Sequence, residues 1–269
     1  MKKENLKNKR LFLFDMDGTI YLDNELFDGT LELLDHIRKI GGRYMFLTNN
    51  SSKDCTAYIE KLHSFGIKSV KDDFFTSVDT AVLFLNEKCR GKKIYVFGTK
   101  SFKRQLEEEG DFEITDVLSD DIEVLIIGND TELTFQKLED ACILLNRGVE
   151  YYATNPDWVC PTWYGSVPDC GSFCEMLFRA TGRNPKFLGK PHPEIVYAAI
   201  EKSGYSKEDS VLIGDRLYTD IAAGVNAGID TIFVLSGEGT MKDLEESEAK
   251  PAYVMQDVKK IYETIREGN

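Results

Sequence analysis

The run Leu11-Phe12-Leu13-Phe14 constrains this chain more than any other feature. It is apolar at every position rather than at every second one, so both faces of the strand it forms must be covered. That is the requirement of a strand inside a parallel sheet flanked by helices on both sides. The segments around it keep the same rhythm. Thr30–Ile40 sets Leu31, Leu34, Ile37 and Ile40 at helical spacing and ends on Gly41-Gly42. Tyr44–Leu47 reads as a second strand and Asp54–Phe65 as a second helix closed by Gly66. Toward the C-terminus Pro193 opens a helix carrying Ile195, Val196, Ala199 and Ile200. Val211–Ile213 is a strand, Leu217–Ala227 a helix stopped by Gly228, Thr231–Leu235 a strand and Ala252–Met255 a weaker one. A last helix holds Val258, Ile261, Tyr262 and Ile265. The alternation predicts an α/β fold with a parallel sheet.

The middle of the chain reads as a unit of its own, with strands at Lys93–Phe97, Glu123–Ile127 and Glu150–Ala153 and helices at Thr134–Arg147 and Ser172–Thr181. Neither a repeat nor a low-complexity linker marks its borders. Boundaries near 79 and 185 follow instead from where the chemical motifs lie.

Charge narrows the function. The 269 residues carry 33 basic and 46 acidic side chains, a net charge of −13. A nucleic-acid binder needs a basic face, so this balance argues against one. No apolar run approaches the ~20 residues of a membrane span. Lys2, Lys3, Lys7, Lys9 and Arg10 imitate the start of a signal peptide, but only four apolar residues follow before Asp15, short of the roughly 7–15 of a signal core. We read a solvated tail, then a buried strand. The six cysteines (55, 89, 142, 160, 170 and 174) form no CxxC pair and no zinc-like spacing with histidine. They read as small apolar residues of a cytoplasmic protein.

The chemistry begins at Asp15-Met16-Asp17-Gly18-Thr19, directly after the first strand. Two carboxylates at a strand's carboxyl end sit where α/β folds bind ligands. Gly18 lets the backbone turn back and aim its N–H groups at an anion. Taken alone, this could be a polar turn that merely ends a strand. Other strand ends change the weight. Tyr44–Leu47 runs into Thr48-Asn49-Asn50-Ser51-Ser52, a cluster of neutral hydrogen-bonding groups. Val211–Ile213 runs into Gly214-Asp215-Arg216-Leu217-Tyr218-Thr219-Asp220, and Gly189-Lys190-Pro191 offers a lysine in a stiff turn. Each has a bland reading: Lys190 as surface charge, Asp220 as a helix-start charge, Thr48 as a turn residue. In a parallel sheet, however, all carboxyl ends share one edge, so Asp15, Asp17, Thr48, Lys190, Asp215 and Asp220 can converge there.

Carboxylates gathered on one edge repel each other unless a hard cation sits among them, and all-oxygen ligands suit Mg²⁺. The cation and Lys190 would attract a phosphate. One carboxylate can then attack phosphorus while another moves protons. Thr48 and backbone N–H groups can hold the transferring oxygens.

These motifs, Asp15-Met16-Asp17-Gly18-Thr19, Thr48-Asn49-Asn50, Lys190 and Gly214-Asp215-Arg216 with Asp220, resemble those of the haloacid dehalogenase superfamily of phosphohydrolases. The longer runs Thr48-Asn49-Asn50-Ser51-Ser52, Gly214 to Ile221, Asn226-Ala227-Gly228 and Val234-Leu235-Ser236-Gly237-Glu238 resemble its NagD-like, 4-nitrophenylphosphatase-type branch. The likeness spans essentially Leu11 to Val254. It implies a Rossmann-like parallel-sheet core (1–78 plus 186–269) with an inserted α/β C2 cap (79–185) that closes over the active site. The spacing agrees: 33 residues separate Asp15 from Thr48, but 142 separate Thr48 from Lys190. The resemblance makes Asp15 the nucleophile and Asp17 the general acid and base, which also offers its backbone carbonyl to Mg²⁺. Thr48 and Lys190 bind the phosphoryl group, with Asn49 and Asn50 beside them on the substrate. Asp215 ligates the metal and Asp220 supports it. Thr154-Asn155-Pro156-Asp157 resembles the family's cap loop, which places Asn155 and Asp157 at the substrate. Where the family favours Pro-Gly-Ala-Gly-Ser, this chain has Pro168-Asp169-Cys170-Gly171-Ser172.

The implied function is Mg²⁺-dependent hydrolysis of small phosphate monoesters, such as a nucleoside monophosphate or a sugar phosphate, through an aspartyl-phosphate. A closing cap leaves no path for a polymer, and the family is compatible with a homodimer through the cap. The alternative is a phosphate-binding or phosphoacceptor regulator with little turnover. Receiver modules also use clustered Asp, Thr and Lys, but they are near half this length and do not set nucleophile and acid in one turn. Trp158, Trp163 and Tyr164 cluster in the inserted segment, as cap packing or as a platform for a base.

Overall fold

The computed structural model describes residues 6–162 and 164–266. Lys2, Lys3 and Trp163 lie outside the described residues. The chain divides into two compact units. One takes the chain as far as Thr48, Ile59–Phe75, and the chain from Lys190 onward; the other takes Asn49–Tyr58 and Thr76–Gly189. Motif positions set 1–78 and 186–269 in the core, whereas residues 49–58, 76–78 and 186–189 group with the inserted segment.

The first unit is built on a six-stranded sheet. Its order is Tyr253–Met255, Asp230–Val234, Ser210–Gly214, Leu11–Phe14, Arg43–Thr48, Phe74–Thr76. The pairings from Tyr253–Met255 through to Arg43–Thr48 are parallel. Leu11–Phe14 lies inside the sheet with all four side chains buried, as its unbroken apolar run requires. Leu11, Leu13, Met45, Leu47 and Leu212 pack on one face against Ile195, Val196, Ala199 and Ala223 of the helical layer. The helix Val258–Arg266 packs beside Thr30–Lys39.

The second unit has its own parallel sheet, ordered Lys186–Phe187, Glu150–Ala153, Val124–Ile127, Lys93–Phe97, Glu113–Thr115. Val124–Ile127 is buried throughout and central. Helices Phe135–Arg147 and Cys170–Thr181 cover one face. Ser77–Lys88 and Lys100–Glu109 cover the other. An antiparallel hairpin, Val159–Thr162 with Gly165–Pro168, is appended.

Three local readings change. The expected solvated tail is anchored in its last residues. Leu6 is fully buried, and Lys9 is 3 % exposed, with its ammonium on the Glu208 carbonyl at 2.7 Å and on Asp230 at 2.8 Å. The expected helix Leu217–Ala227 begins as a π-turn over Leu217–Ile221 and becomes α-helical only at Ala222–Ala227. Ser77–Lys88 is a helix that the motif-led reading does not name. Thr76 caps it reciprocally with Asp79, and Val78, Ala81, Val82 and Leu85 line its buried side. Among the described residues no helix is long and apolar enough to cross a membrane.

Candidate active site

Parallel pairing sets the strand ends of the first unit side by side. Phe14 pairs with both Ile213 and Phe46, so the next residues, Asp15, Gly214-Asp215 and Leu47-Thr48, emerge together on the carboxyl edge. The Asp15 backbone N–H still donates to the Ile213 carbonyl at 2.8 Å, which holds the first acid to the sheet. Thr48, the last residue of its strand, is 4 % exposed.

Asp15, Asp215 and Asp220 offer carboxylate oxygens that all lie within 4.8 Å of one another. Lys190 is nearly inaccessible, with its ammonium 2.6 Å from Asp15 Oδ1, 2.6 Å from Asp220 Oδ1 and 3.1 Å from the Leu47 carbonyl. Asp215 Oδ2 accepts from the Glu238 backbone N–H at 2.7 Å. Its other oxygen, Oδ1, is buried without a hydrogen-bond partner.

Local backbone makes this crowding possible. Gly18 sits at φ +86°, and a Cβ there would lie 2.5 Å from Asp215 Oδ2. A Cβ on Gly237 would lie 2.0 Å from the same oxygen, so these two glycines form the cradle of Asp215. A Cβ on Gly214 would fall 2.3 Å from that of Asp220. The π-turn and the bare glycine thus let Asp220 fold back on its own strand, where its Oδ2 accepts from the Arg216 N–H at 3.1 Å.

The electrostatics follow from burial. Burial first, then the charge of Asp220, pushes the Asp215 carboxyl up to about 7, with Arg216 opposing. Asp15 is likewise held well above the usual carboxylate range by burial and by Asp220, against the pull of Lys190. Burial alone would lower the Lys190 ammonium, but Asp15 and Asp220 outweigh it and keep it above an ordinary lysine. Three largely buried acids with a single ammonium among them leave negative charge uncompensated. With an unpartnered oxygen on Asp215, the donor set fits a hard divalent cation.

Asp17 stands apart. Its carboxylate is not in the group of three; it meets the Tyr21 hydroxyl at 3.3 Å and the Lys61 ammonium at 3.8 Å. Neither partner stands out in the sequence, because Lys61 reaches Asp17 across 44 residues and reads as an ordinary helix charge.

The remaining expected residues belong to the second unit and bind one another. Asn49 Nδ2 donates to Asp157 at 2.9 Å, and Asn155 Nδ2 donates to the Asn49 carbonyl at 2.7 Å. Asn155 Oδ1 accepts from the Asp157 N–H at 3.0 Å, while Ser51 and Thr154 hydroxyls meet at 2.9 Å. Asn50 Oδ1 accepts from the Ser52 hydroxyl and N–H. Asp169 caps the helix Cys170–Thr181 and is 4 % exposed.

The chain is similar to known proteins along most of its length. Residues 12–111 match the family described as haloacid dehalogenase-like hydrolase, and residues 187–261 match a second one described as HAD-hydrolase-like. The acid sugar phosphatase of Staphylococcus aureus is 30% identical over 253 residues, 94% of this chain and 96% of that one. The crystal structure of 4-nitrophenylphosphatase from Thermotoga maritima is 38% identical with a TM-score of 0.89, covering 97% of this chain and 99% of that one. The glycerol phosphate phosphatase of Mycobacterium tuberculosis, in complex with magnesium, is 25% identical with a TM-score of 0.88, covering 96% of this chain and 78% of that one.

Proposed function

Since the chain belongs to the haloacid dehalogenase-like hydrolases, in their NagD and 4-nitrophenylphosphatase branch, we propose that it hydrolyses small phosphate monoesters with Mg²⁺ through an aspartyl-phosphate. The observation that carries this reading is the trio Asp15, Asp215 and Asp220 around Lys190, with Asp215 Oδ1 buried and left without a partner. Asp15, Asp215 and Asp220 would hold the cation. When bound, it supplies positive charge that offsets the carboxylates and draws in the phosphoryl group.

The chain's own groups do the rest. Asp15 attacks phosphorus; a new O–P bond forms and the bond to the leaving oxygen breaks. Asp17 gives that oxygen a proton, then takes one from a water that attacks the aspartyl-phosphate, which returns Asp15 and frees phosphate. Lys190 stays protonated and holds Asp15 in place while stabilising the transferring oxygens, which Thr48 also receives. The first unit is the catalytic core in this reading, the inserted 79–185 segment is the cap, and Asn49, Asn50, Asn155 and Asp157 lie on the substrate side. Sugar and polyol phosphates are the favoured substrate class, since relatives are named acid sugar phosphatase and glycerol phosphate phosphatase.

The test is hydrolysis of 4-nitrophenyl phosphate with Mg²⁺ and with EDTA. We expect the chelator to remove at least about 99 % of the rate, in line with the several kcal/mol a metal contributes to such transition states. Equal rates would take the cation out of the mechanism.

A further inference from the structure

Asp17 is the one acid of the turn that stays outside the carboxylate trio, and its carboxyl group is tethered from two directions. Oδ2 accepts from the Tyr21 hydroxyl at 3.3 Å, while Oδ1 faces Lys61 Nζ at 3.8 Å. The same ammonium lies 3.8 Å from the centre of the Tyr21 ring, so the aromatic face steadies the cation that faces the acid. Tyr21 itself has little freedom. It is fully buried, its ring lies 5.5 Å from that of Phe65, and its backbone carbonyl accepts from the Gly18 N–H at 2.8 Å. Lys61 comes from elsewhere in the chain, on the helix Cys55–Ser64. The Asp17 side chain nevertheless keeps 31% of its surface open, enough to meet a substrate.

A proton donor works only if it is aimed, and a carboxyl group on a turn has two free torsions unless something fixes them. We propose that Lys61, seated on the Tyr21 ring, is a positioning residue that together with the Tyr21 hydroxyl aims the Asp17 carboxyl at the ester oxygen. This rests on the reading of Asp17 as general acid and base. In the first half-reaction the proton leaves Asp17 for the leaving oxygen as its bond to phosphorus breaks. In the second, Asp17 takes a proton from the attacking water. Lys61 and Tyr21 neither give nor take one.

The leaving group provides the discriminating experiment. 4-Nitrophenolate departs without a proton, whereas the alkoxide of glycerol phosphate needs one. Single-turnover cleavage of both esters is measured with Mg²⁺ for Lys61→Met, Lys61→Arg and Tyr21→Phe, with melting curves to confirm folding. In Lys61→Met we expect glycerol phosphate cleavage to fall roughly tenfold, a fraction of the worth of a general acid, and 4-nitrophenyl phosphate cleavage to change by less than about twofold. Lys61→Arg restores most of the loss, and Tyr21→Phe shows a smaller loss with the same preference. A loss by one common factor on both esters, or none on glycerol phosphate, overturns the proposal. If Lys61→Met does not fold, Tyr21→Phe, which keeps the ring, decides by the same ratio. Asp15→Asn separates the two levels: turnover in that variant sinks the aspartyl-phosphate route, and with it the reading of Asp17 as acid and base. An inactive Asp15→Asn beside an unselective Lys61→Met sinks only the role of Lys61.

Discussion

Both units end a parallel sheet in polar loops, yet the two edges resolve their polarity in opposite ways. In the second unit neutral amides and a lysine do most of the pairing. Asn49, Asn155 and Asp157 close a ring of hydrogen bonds, and Lys137 binds the buried Asp130 at 2.7 Å and the Gly98 carbonyl at 2.9 Å. In the first unit, three carboxylates are pressed together, Asp215 is pushed up to about 7, and one of its oxygens has no partner. Buried polar groups in proteins are almost always paired, so an edge that leaves them in conflict is one prepared to receive something. The contrast marks the first edge as the place where a charged ligand relieves the most strain, without reference to any relative.

The largest expected effect falls on the conflicted edge. Asp15→Asn keeps the shape but removes the proposed nucleophile, so turnover of 4-nitrophenyl phosphate should drop by about four orders of magnitude or more while circular dichroism is unchanged. Activity near that of the parent would end the covalent route.

Asp215→Asn should cut the two edges apart more finely. Without metal it relieves like-charge crowding, so the melting midpoint should rise by a few degrees. With Mg²⁺ it should lose the stabilisation that the parent gains from binding, along with roughly 100-fold or more of its rate. A lower midpoint in metal-free buffer would mean that Asp215 stabilises the fold and that the edge is not in conflict.

The smallest effect belongs to the satisfied edge and has the opposite sign. Lys137→Met strands the fully buried Asp130 carboxylate, and should cost about 1–3 kcal/mol in urea unfolding with kcat unmoved. Unchanged stability would show that the pairing of Lys137 with Asp130 is dispensable.

The fold was legible where periodicity is strong. Leu11–Phe14 has the bounds its apolar residues mark out, because a strand buried on both faces admits no polar residue along its covered length. Lys93–Phe97 and Glu150–Ala153 also keep their expected bounds, each opening on a charged residue that stays partly or fully exposed. The gathering of Asp15, Lys190, Asp215 and Asp220 was legible for a different reason: parallel strands must share an edge, so residues far apart in sequence meet. The π-turn at Leu217–Ile221 was not, since its composition is that of any helix start and only the close approach to Gly214 distinguishes it. Lys61 and Tyr21 were invisible as well. A cation over a ring is a long-range event that leaves no local pattern. Asn155 and Asp157 are singled out in the sequence by likeness alone, and their hydrogen bonds to Asn49 could not be inferred from spacing.

The place of Leu11–Phe14 inside its sheet has a consequence for synthesis on the ribosome. One neighbour, Arg43–Thr48, is made almost at once, but the other, Ser210–Gly214, arrives some two hundred residues later. At ordinary translation speeds the gap between those neighbours lasts on the order of ten to thirty seconds. Every segment of the second unit emerges in that interval, and its sheet is assembled from strands close in sequence. The inserted unit can therefore finish folding first, while the strand that leads into Asp15 waits, half-paired and apolar on both faces, for Ser210–Gly214. In a crowded cell a strand exposed in this way is open to wrong pairing until its second neighbour is made.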